Sequence, residues 1–114
     1  MRIFVSYTTK DSYIDRELLN DLYKIISRCG DCYIDLLHNN ANNKQHHVEN
    51  MLSQADLLVL IESSSIVKSS WVQWELAEAK KNNIPIIVIK AMPEKSITLA
   101  NLKNTLLHEQ LTPY

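Results

Sequence analysis

The chain contains a single glycine, Gly30, and this scarcity excludes several kinds of nucleotide-binding loop. A phosphate-cradling P-loop and the GxGxxG turn of dinucleotide-binding folds both need several glycines, because their backbones approach phosphate closely. The GxSxG elbow that presents a nucleophilic serine is absent for the same reason. Any nucleotide chemistry in this protein must therefore use another kind of site.

Cysteine is almost as scarce, since Cys29 and Cys32 are the only two in the chain. Their CxxC spacing has no second pair, whereas a structural zinc site needs four ligands. A thioredoxin-like redox pair follows a strand and opens a helix, but this pair lies where a helix is predicted to end and a strand to begin. We therefore expect two ordinary half-buried cysteines and no metal site.

Neither sign of charge dominates, because 12 basic and 13 acidic residues give a net charge of −1. Phosphate-backbone binding needs a basic surplus, so nucleic acid is not an expected partner. No apolar stretch approaches the roughly 20 residues of a membrane span, and the first residues lack the features of a secretory signal peptide. With 114 residues and 46% apolar content, the sequence predicts a single cytoplasmic domain over residues 1–114 without a membrane partner.

Apolar runs of strand length alternate with amphipathic segments along the chain. This alternation is typical of βαβ units, and it predicts a flavodoxin-like α/β fold with helices on both faces of a parallel sheet. The expected strand order is 2-1-3-4, with a possible fifth strand near Ile97. The predicted strands are residues 2–7, 31–36, 57–61 and 85–90. The run at 57–61 suits a strand buried on both faces, and the run at 85–90 is predicted to be a further buried strand.

Capping and spacing signals set the predicted helices. Asp11 or Ser12 is the expected cap of the first helix, which should end near Cys29 with Gly30 in the left-handed conformation. The capping box Ser70-x-x-Gln73 predicts that a later helix starts at Ser70. The remaining segments are a loop at 38–45 and helices at 45–54 and 101–109.

Ligands of open parallel sheets bind beyond the carboxyl ends of the strands, and this rule selects a set of candidate residues. They are Ser6, Tyr7, Thr8, Thr9, Asp35, residues 62–65 and Lys90, with Trp71 and Glu75 added by the helix that follows the third strand. A phosphoreceiver site would need an acidic pair where this chain has Ser6-Tyr7, so that function is disfavoured.

Each candidate also has a purely structural interpretation. Ser6 and Thr8 are suited to capping turns, and Asp35 is suited to stabilising its loop. Trp71 and Glu75 share one helix face at i and i+4. The neighbouring stripe of Val72, Leu76, Ala79 and Asn83 is expected to face the sheet. Spacing alone therefore favours a packing role for Trp71 and a solvated carboxylate for Glu75.

Two segments resemble the Toll/interleukin-receptor-like (TIR-like) domain family. The opening Ile3-Phe4-Val5-Ser6-Tyr7, followed by Asp11, is similar to the first-strand signature of these domains. Residues 69–79 (SSWVQWELAEA) are similar to the S-x-W-V-x-W-E segment of the bacterial subgroup that includes the TIR-like proteins of Thoeris antiphage defence. The order of the apolar strands around that segment also fits, so the resemblance covers roughly residues 2–90.

The resemblance implies a function as well as a fold. Many bacterial and plant TIR-like domains cleave NAD at the nicotinamide–ribose bond, and some cyclise the ADP-ribose product into a signal. Their catalytic glutamate lies at the position that Glu75 matches, and the loop of residues 6–9 lines the nucleotide pocket. NAD would then be the substrate, with no cofactor required, and Ser6, Tyr7, Thr8, Asp35 and Trp71 are the expected substrate-binding residues.

Two alternatives stay open at this point. Many TIR domains are adaptors that pair with other TIR-like domains and catalyse nothing, and this chain has an abbreviated final strand and helix. The related nucleoside deoxyribosyltransferases also place a glutamate at an N-glycosidic bond. The NAD-cleaving enzyme, acting in signalling or antiphage defence, is the favoured interpretation.

Overall fold

The computed structural model describes residues 1–38 and 44–109. These residues form one parallel sheet in the order β2-β1-β3-β4, which confirms the predicted flavodoxin-like order. In the centre of the sheet, Phe4 lies opposite Tyr33 on one side and Leu58 on the other. The strands are β1 (Arg2–Ser6), β2 (Asp31–Ile34), β3 (Leu57–Glu62) and β4 (Ile86–Lys90).

Helices cover both faces of the sheet. They are α1 (Arg16–Ile26), α2 (Asp35–His38), α3 (Lys44–Ser53), α4 (Ser70–Lys81) and α5 (Lys95–His108). Helices α1 and α5 pack on one face, and α3 and α4 pack on the other. The result is the three-layer arrangement that a strand-and-helix alternation predicts.

The two central strands supply side chains to both layers. Along β1, Ile3 and Val5 point into the layer with α1 and α5, while Phe4 points into the layer with α3 and α4. Strand β3 alternates in the same way, and its residues from Leu57 to Ile61 are all buried. A strand buried on both faces has no polar face to show, which explains its continuous apolar run.

The fourth strand, which was predicted to be buried, is buried on one face only. Strand β4 lies at the edge of the sheet, and no described strand pairs with its outer side. Ile89 is fully buried under α5, whereas Val88 on the opposite face is 47% exposed. An apolar run cannot by itself distinguish a central strand from an edge strand, because both have at least one buried face.

The predicted fifth strand near Ile97 is also wrong. Ile97 lies in the first turn of α5, which begins at Lys95, earlier than the sequence signals suggested. Thr98, Leu102 and Leu106 are buried at a spacing of four residues, as expected for one face of a helix. The Thr98 hydroxyl donates to the carbonyl of Met92 and accepts from its amide, so it closes the turn before the helix.

Gly30 does not take the left-handed conformation expected of it, because its φ is not positive. It is needed for a close approach instead, because a Cβ atom at this position would lie 2.5 Å from the carbonyl oxygen of Met1. The same carbonyl accepts from the Asp31 amide at 2.8 Å. The second strand ends at Ile34, two residues earlier than predicted, because Asp35 opens α2.

Most of the predicted loop at 38–45 lies outside the described residues. Within residues 1–38 and 44–109, no helix has the length and apolar character needed to cross a membrane. In the same part of the chain, no group of three or more His, Cys, Asp or Glu side chains is arranged to hold a metal ion. Cys29 and Cys32 are half-buried thiols that form no disulfide, and burial raises the pKa of both.

Candidate functional site

Helix α4 carries the principal candidate, Glu75, into the interior. The helix starts at Ser70, as predicted, but its N-cap is Ser69, one position before the cap that the capping box indicates; the Ser69 side chain accepts from the Val72 amide. Val72, Glu75 and Ala79 form the buried face, at positions i, i+3 and i+7. Glu75 is only 4% exposed, which overturns the solvated carboxylate that spacing alone favoured.

Two members of the predicted sheet-facing stripe behave differently from expectation. Leu76 is only partly buried. Asn83 is exposed and has a φ of 58°, in the left-handed region where Asn is tolerated, just after the helix end. The buried face of the helix therefore keeps Val72 and Ala79 of the predicted stripe and also includes Glu75, which contacts Ser6 at the carboxyl end of β1.

Ser6, the last residue of β1, is the direct partner of Glu75. Its hydroxyl donates to Glu75 Oε1 at 2.6 Å, and the Ser6 side chain is itself buried. A hydrogen bond from a neutral hydroxyl to a carboxylate is short and strong when water is excluded. The bond joins residues 69 positions apart in the sequence and fixes α4 against the sheet edge.

Burial changes the acidity of Glu75. Desolvation raises the pKa of Glu75 to about 7, and the nearby charge of Asp35 adds to the rise. Hydrogen bonds from Ser6 and Trp71 act in the opposite direction, because they stabilise the carboxylate. A carboxyl group with a pKa near neutrality exchanges its proton readily at physiological pH, which suits acid–base work.

A cavity of about 330 Å³ opens in front of Glu75. Its walls come from the loop after β1, the start of α2 and the start of α4. The described lining residues include two carboxylates and no basic side chain. They are Val5, Tyr7, Thr8, Thr9, Asp35, Leu36, Ser69, Trp71 and Glu75. Two acids at one cavity suit a ligand group that carries or develops positive charge.

Tyr7 forms one wall of this cavity and has a structural bond as well. Its hydroxyl accepts from the Leu36 amide at 2.9 Å, and Arg16 donates to the Leu36 carbonyl at 3.3 Å. Burial raises the pKa of Tyr7 to about 12, so its hydroxyl stays protonated. Tyr7 therefore holds the start of α2 in place and also lines the cavity.

Asp35 and Trp71 also line the cavity. Asp35 Oδ1 accepts from the Tyr33 hydroxyl at 3.1 Å. Trp71 is 37% exposed and stacks on Trp74, with ring centroids 5.0 Å apart and an interplanar angle of 17°. Trp74 packs against the core, as predicted, and so supports the more exposed Trp71 ring from behind. A stacked, half-exposed indole is a suitable platform for an aromatic ligand.

The other residues selected by the strand-end rule do not line this cavity. Glu62 and Lys90 are exposed, and Ser64 and Ser65 are bonded to the loop after β1. Sequence reasoning missed Leu36 and Ser69 as lining residues. The cap position of Ser69 was the available signal, since a helix N-cap necessarily lies beside its own first turn.

A larger cavity, of about 420 Å³, lies at the opposite end of the sheet, among Arg2, Asp31, Tyr33 and His47. It adjoins the amino-terminal ends of β1 and β2, and its acid, Asp31, is exposed. Ligands of parallel sheets bind at the carboxyl ends of the strands. The smaller cavity is therefore the better candidate for the site, because it contains the buried carboxylate.

Fold and cavity together define a flavodoxin-like α/β protein with a buried glutamate at the carboxyl end of its sheet. The family profile of the TIR domain matches residues 3–112 of the chain. This protein therefore belongs to the TIR domain family. No match to a curated protein was found.

Proposed function

We propose that this chain is a cytoplasmic TIR-domain enzyme that cleaves the nicotinamide–ribose N-glycosidic bond of NAD. The observation that carries the proposal is the buried Glu75, hydrogen-bonded to Ser6 at the inner wall of the cavity. Glu75 is the catalytic residue of the proposal. Ser6, Tyr7, Thr8, Asp35 and Trp71 are its substrate-binding residues.

The chemistry of the bond matches the charges around the cavity. When the bond between ribose C1′ and the nicotinamide nitrogen breaks, its electron pair goes to the nitrogen and nicotinamide leaves as a neutral molecule. The ribose is left as an oxocarbenium-like cation. A carboxylate held close to that cation stabilises it more strongly in a water-poor site than in bulk water. Glu75 supplies this charge, and the carboxylate of Asp35 also lines the cavity.

The fate of the ribose cation decides the product. Attack by water at C1′ yields ADP-ribose, and Glu75 or a solvent water accepts the proton that water loses. Attack by a nitrogen of the adenine of the same molecule yields a cyclic product instead. The proposal covers both outcomes, and a role in signalling or antiphage defence follows from the likeness of residues 69–79 to the bacterial subgroup.

Glu75→Gln tests the proposal directly, because it keeps the shape of the side chain and removes the charge. Purified protein is incubated with NAD at several protein concentrations, and nicotinamide, ADP-ribose and cyclic products are separated and quantified. We expect nicotinamide release by the wild type and a loss of at least about 100-fold in Glu75→Gln, the scale of removing one electrostatic catalytic group.

The matched control is Glu78→Gln, which makes the same change one turn along α4 and does not alter the cavity. Its rate should equal that of the wild type. Activity that survives in Glu75→Gln would overturn the catalytic assignment.

A second candidate function is an interaction module that pairs with other TIR domains. The observation in its favour is strand β4, whose outer edge no described strand covers and whose Val88 is 47% exposed on one face of the sheet. Uncovered strand edges are templates for pairing between chains. Protein that never releases nicotinamide but forms oligomers in analytical sedimentation would favour this function.

Base exchange on a 2′-deoxynucleoside supplied in the same assay would favour the deoxyribosyltransferase alternative.

A further inference from the structure

Asp11 and Tyr13 join the loop after β1 to the loop after β3. Both oxygens of the Asp11 carboxylate accept from Ser65, one from the backbone amide and one from the hydroxyl, each at 2.8 Å. The Tyr13 hydroxyl accepts from the Ser64 amide at 3.1 Å and lies 3.1 Å from the Ser64 hydroxyl. We call this set of contacts, made by Asp11 and Tyr13 with Ser64 and Ser65, the serine clasp.

The serine clasp depends on a charged carboxylate. The Ser63 hydroxyl, followed by the donors of Ser65, holds the pKa of Asp11 below its usual range. The buried Ser63 hydroxyl has no partner at regular hydrogen-bonding geometry among the described residues, so its effect is that of a nearby dipole. Asp11 is therefore ionised at neutral pH, and charge-assisted hydrogen bonds of this kind are stronger than neutral ones.

The backbone from Ser65 to Ser69, held in a tight turn by its own hydrogen bonds, connects the serine clasp to α4. Residues Ile66–Lys68 form a 3-10 turn, in which Lys68 donates to the Ser65 carbonyl and Ser69 donates to the Ile66 carbonyl. Ser69 then caps α4. Because Ser69 and Trp71 line the cavity on this side and Thr8 and Thr9 line it on the other, the clasp connects two of its walls.

We propose that Asp11, assisted by Tyr13, is a positioning residue of the candidate site, which sets the separation between the Thr8–Thr9 wall and the start of α4. The proposal rests on the proposed NAD chemistry. Asp11 acts through these walls, since it does not line the cavity itself. Glu75 is anchored separately by Ser6 and by its position between Val72 and Ala79. Opening the clasp should therefore weaken substrate binding and leave bond cleavage largely intact.

Asp11→Asn removes the charge and one of the two acceptor oxygens. We expect it to raise the KM for NAD about tenfold and to change kcat by no more than about twofold. Asp31→Asn is the control, because it removes the same charge at the opposite end of the sheet, and its kinetics should match the wild type. An unchanged KM in Asp11→Asn, or a loss confined to kcat, would overturn the positioning role.

Tyr13→Phe and Ser65→Ala keep the role testable if Asp11→Asn folds poorly. Tyr13→Phe loses the phenolic oxygen and keeps the ring, and we expect about a threefold rise in KM. In a double-mutant cycle, Asp11→Asn and Ser65→Ala should raise KM less together than the product of their separate effects, because both break the same contact. Strictly multiplicative effects would contradict a shared clasp.

A measurement without turnover separates failure of this inference from failure of the proposed function. Amide NMR spectra of Asp11→Asn should show shifted signals for Ser69, Val72 and the Trp71 indole, while Asp31→Asn leaves these signals in place. Unmoved signals would overturn the positioning role even if NAD is cleaved. If these signals shift in Asp11→Asn but the wild type releases no nicotinamide, the clasp is upheld and the proposed function is overturned.

Discussion

At position 75 the protein buries an ionisable group whose charged form is costly there. A carboxylate with 4% exposure loses most of its hydration, and the hydrogen bonds from Ser6 and Trp71 offset only part of that loss. The pKa of Glu75 is raised to about 7 because the lost hydration outweighs these hydrogen bonds. A group held in this way reduces folding stability, and such a cost is common at sites of chemistry.

The pH dependence of NAD cleavage should follow the ionisation of Glu75. Since the carboxylate is the active form, kcat/KM should rise about tenfold per pH unit below the pKa and level off above about pH 7. Ser6→Ala removes a hydrogen bond that stabilises the carboxylate, so the profile should move to higher pH by about one unit. A profile that is flat between pH 5 and 8 would rule out Glu75 as the titrating group.

Glu75 should make the stability of the wild type depend on pH in the opposite sense to a paired carboxylate, whose folded-state pKa is lowered. Because the folded-state pKa is raised from 4.5 to about 7, the wild type loses stability as pH rises between these values and loses no more above them. Glu75→Gln escapes this loss. Its free energy of unfolding should exceed that of the wild type by about 3 kcal/mol at pH 8, and by about 1 kcal/mol or less at pH 5.

Urea denaturation at the two pH values measures this difference. Glu78→Gln serves as the control, since it should follow the wild type at both values. A Glu75→Gln protein that is no more stable than the wild type at pH 8 would show that the carboxylate carries no burial cost.

At the scale of elements, the start of α4 shows how one residue of register decides a cap. The sequence offers Ser69 and Ser70 side by side, and the capping box favours Ser70. The structure uses Ser69, which has an extended backbone with φ −85° and ψ 104° and accepts from Val72. Ser70 is already the first helical residue, so its side chain cannot take the capping geometry.

This assignment predicts unequal effects of two neighbouring substitutions. Ser69→Ala removes the cap and should lower the free energy of unfolding by about 1 kcal/mol, or the Tm by about 4 °C. Ser70→Ala should be neutral or stabilising by a few tenths of a kcal/mol, because Ala is the better helix former. Thermal melts of the two proteins decide the matter, and a larger loss in Ser70→Ala would place the cap at position 70.

At the scale of the whole molecule, α5 completes the layer that α1 begins. Leu102 and Leu106 are buried in the same apolar cluster as Leu18 and Leu22 of α1. On the surface, Lys95 forms ion pairs with Glu17 and Asp21, which join the two helices. The segment whose structure was least clear in the sequence therefore closes one face of the sheet.

Loss of this closure should destabilise the entire sheet rather than release one helix. Leu102→Ala should cost about 2–5 kcal/mol, as expected when a fully buried leucine leaves a cavity. Leu107→Ala, on the 64% exposed side of the same helix, should stay within about 0.5 kcal/mol of the wild type. Circular dichroism and tryptophan fluorescence should report one shared transition, and separate transitions would show that α5 unfolds independently.

Local patterns in the sequence were sufficient to predict the four strands, because apolar runs and helical spacing depend on near neighbours along the chain. The strand order was predicted from the flavodoxin-like topology that the alternation of strands and helices indicates. The strand-end rule and the family motif together selected six site residues, all of which the structure brings to one cavity or into contact with it. They are Ser6, Tyr7, Thr8, Asp35, Trp71 and Glu75.

Only the tertiary structure decided how deeply Glu75 is buried, which serine caps α4 and what Asp11 contacts. Asp11 or Ser12 was expected to cap α1, yet Asp15 takes that role, and Asp11 bonds to Ser65, 54 positions away. The edge position of β4 and the close approach of Gly30 to Met1 depended on the same kind of information. Each is a matter of which distant segments meet, and a side chain's burial and acidity follow from those neighbours.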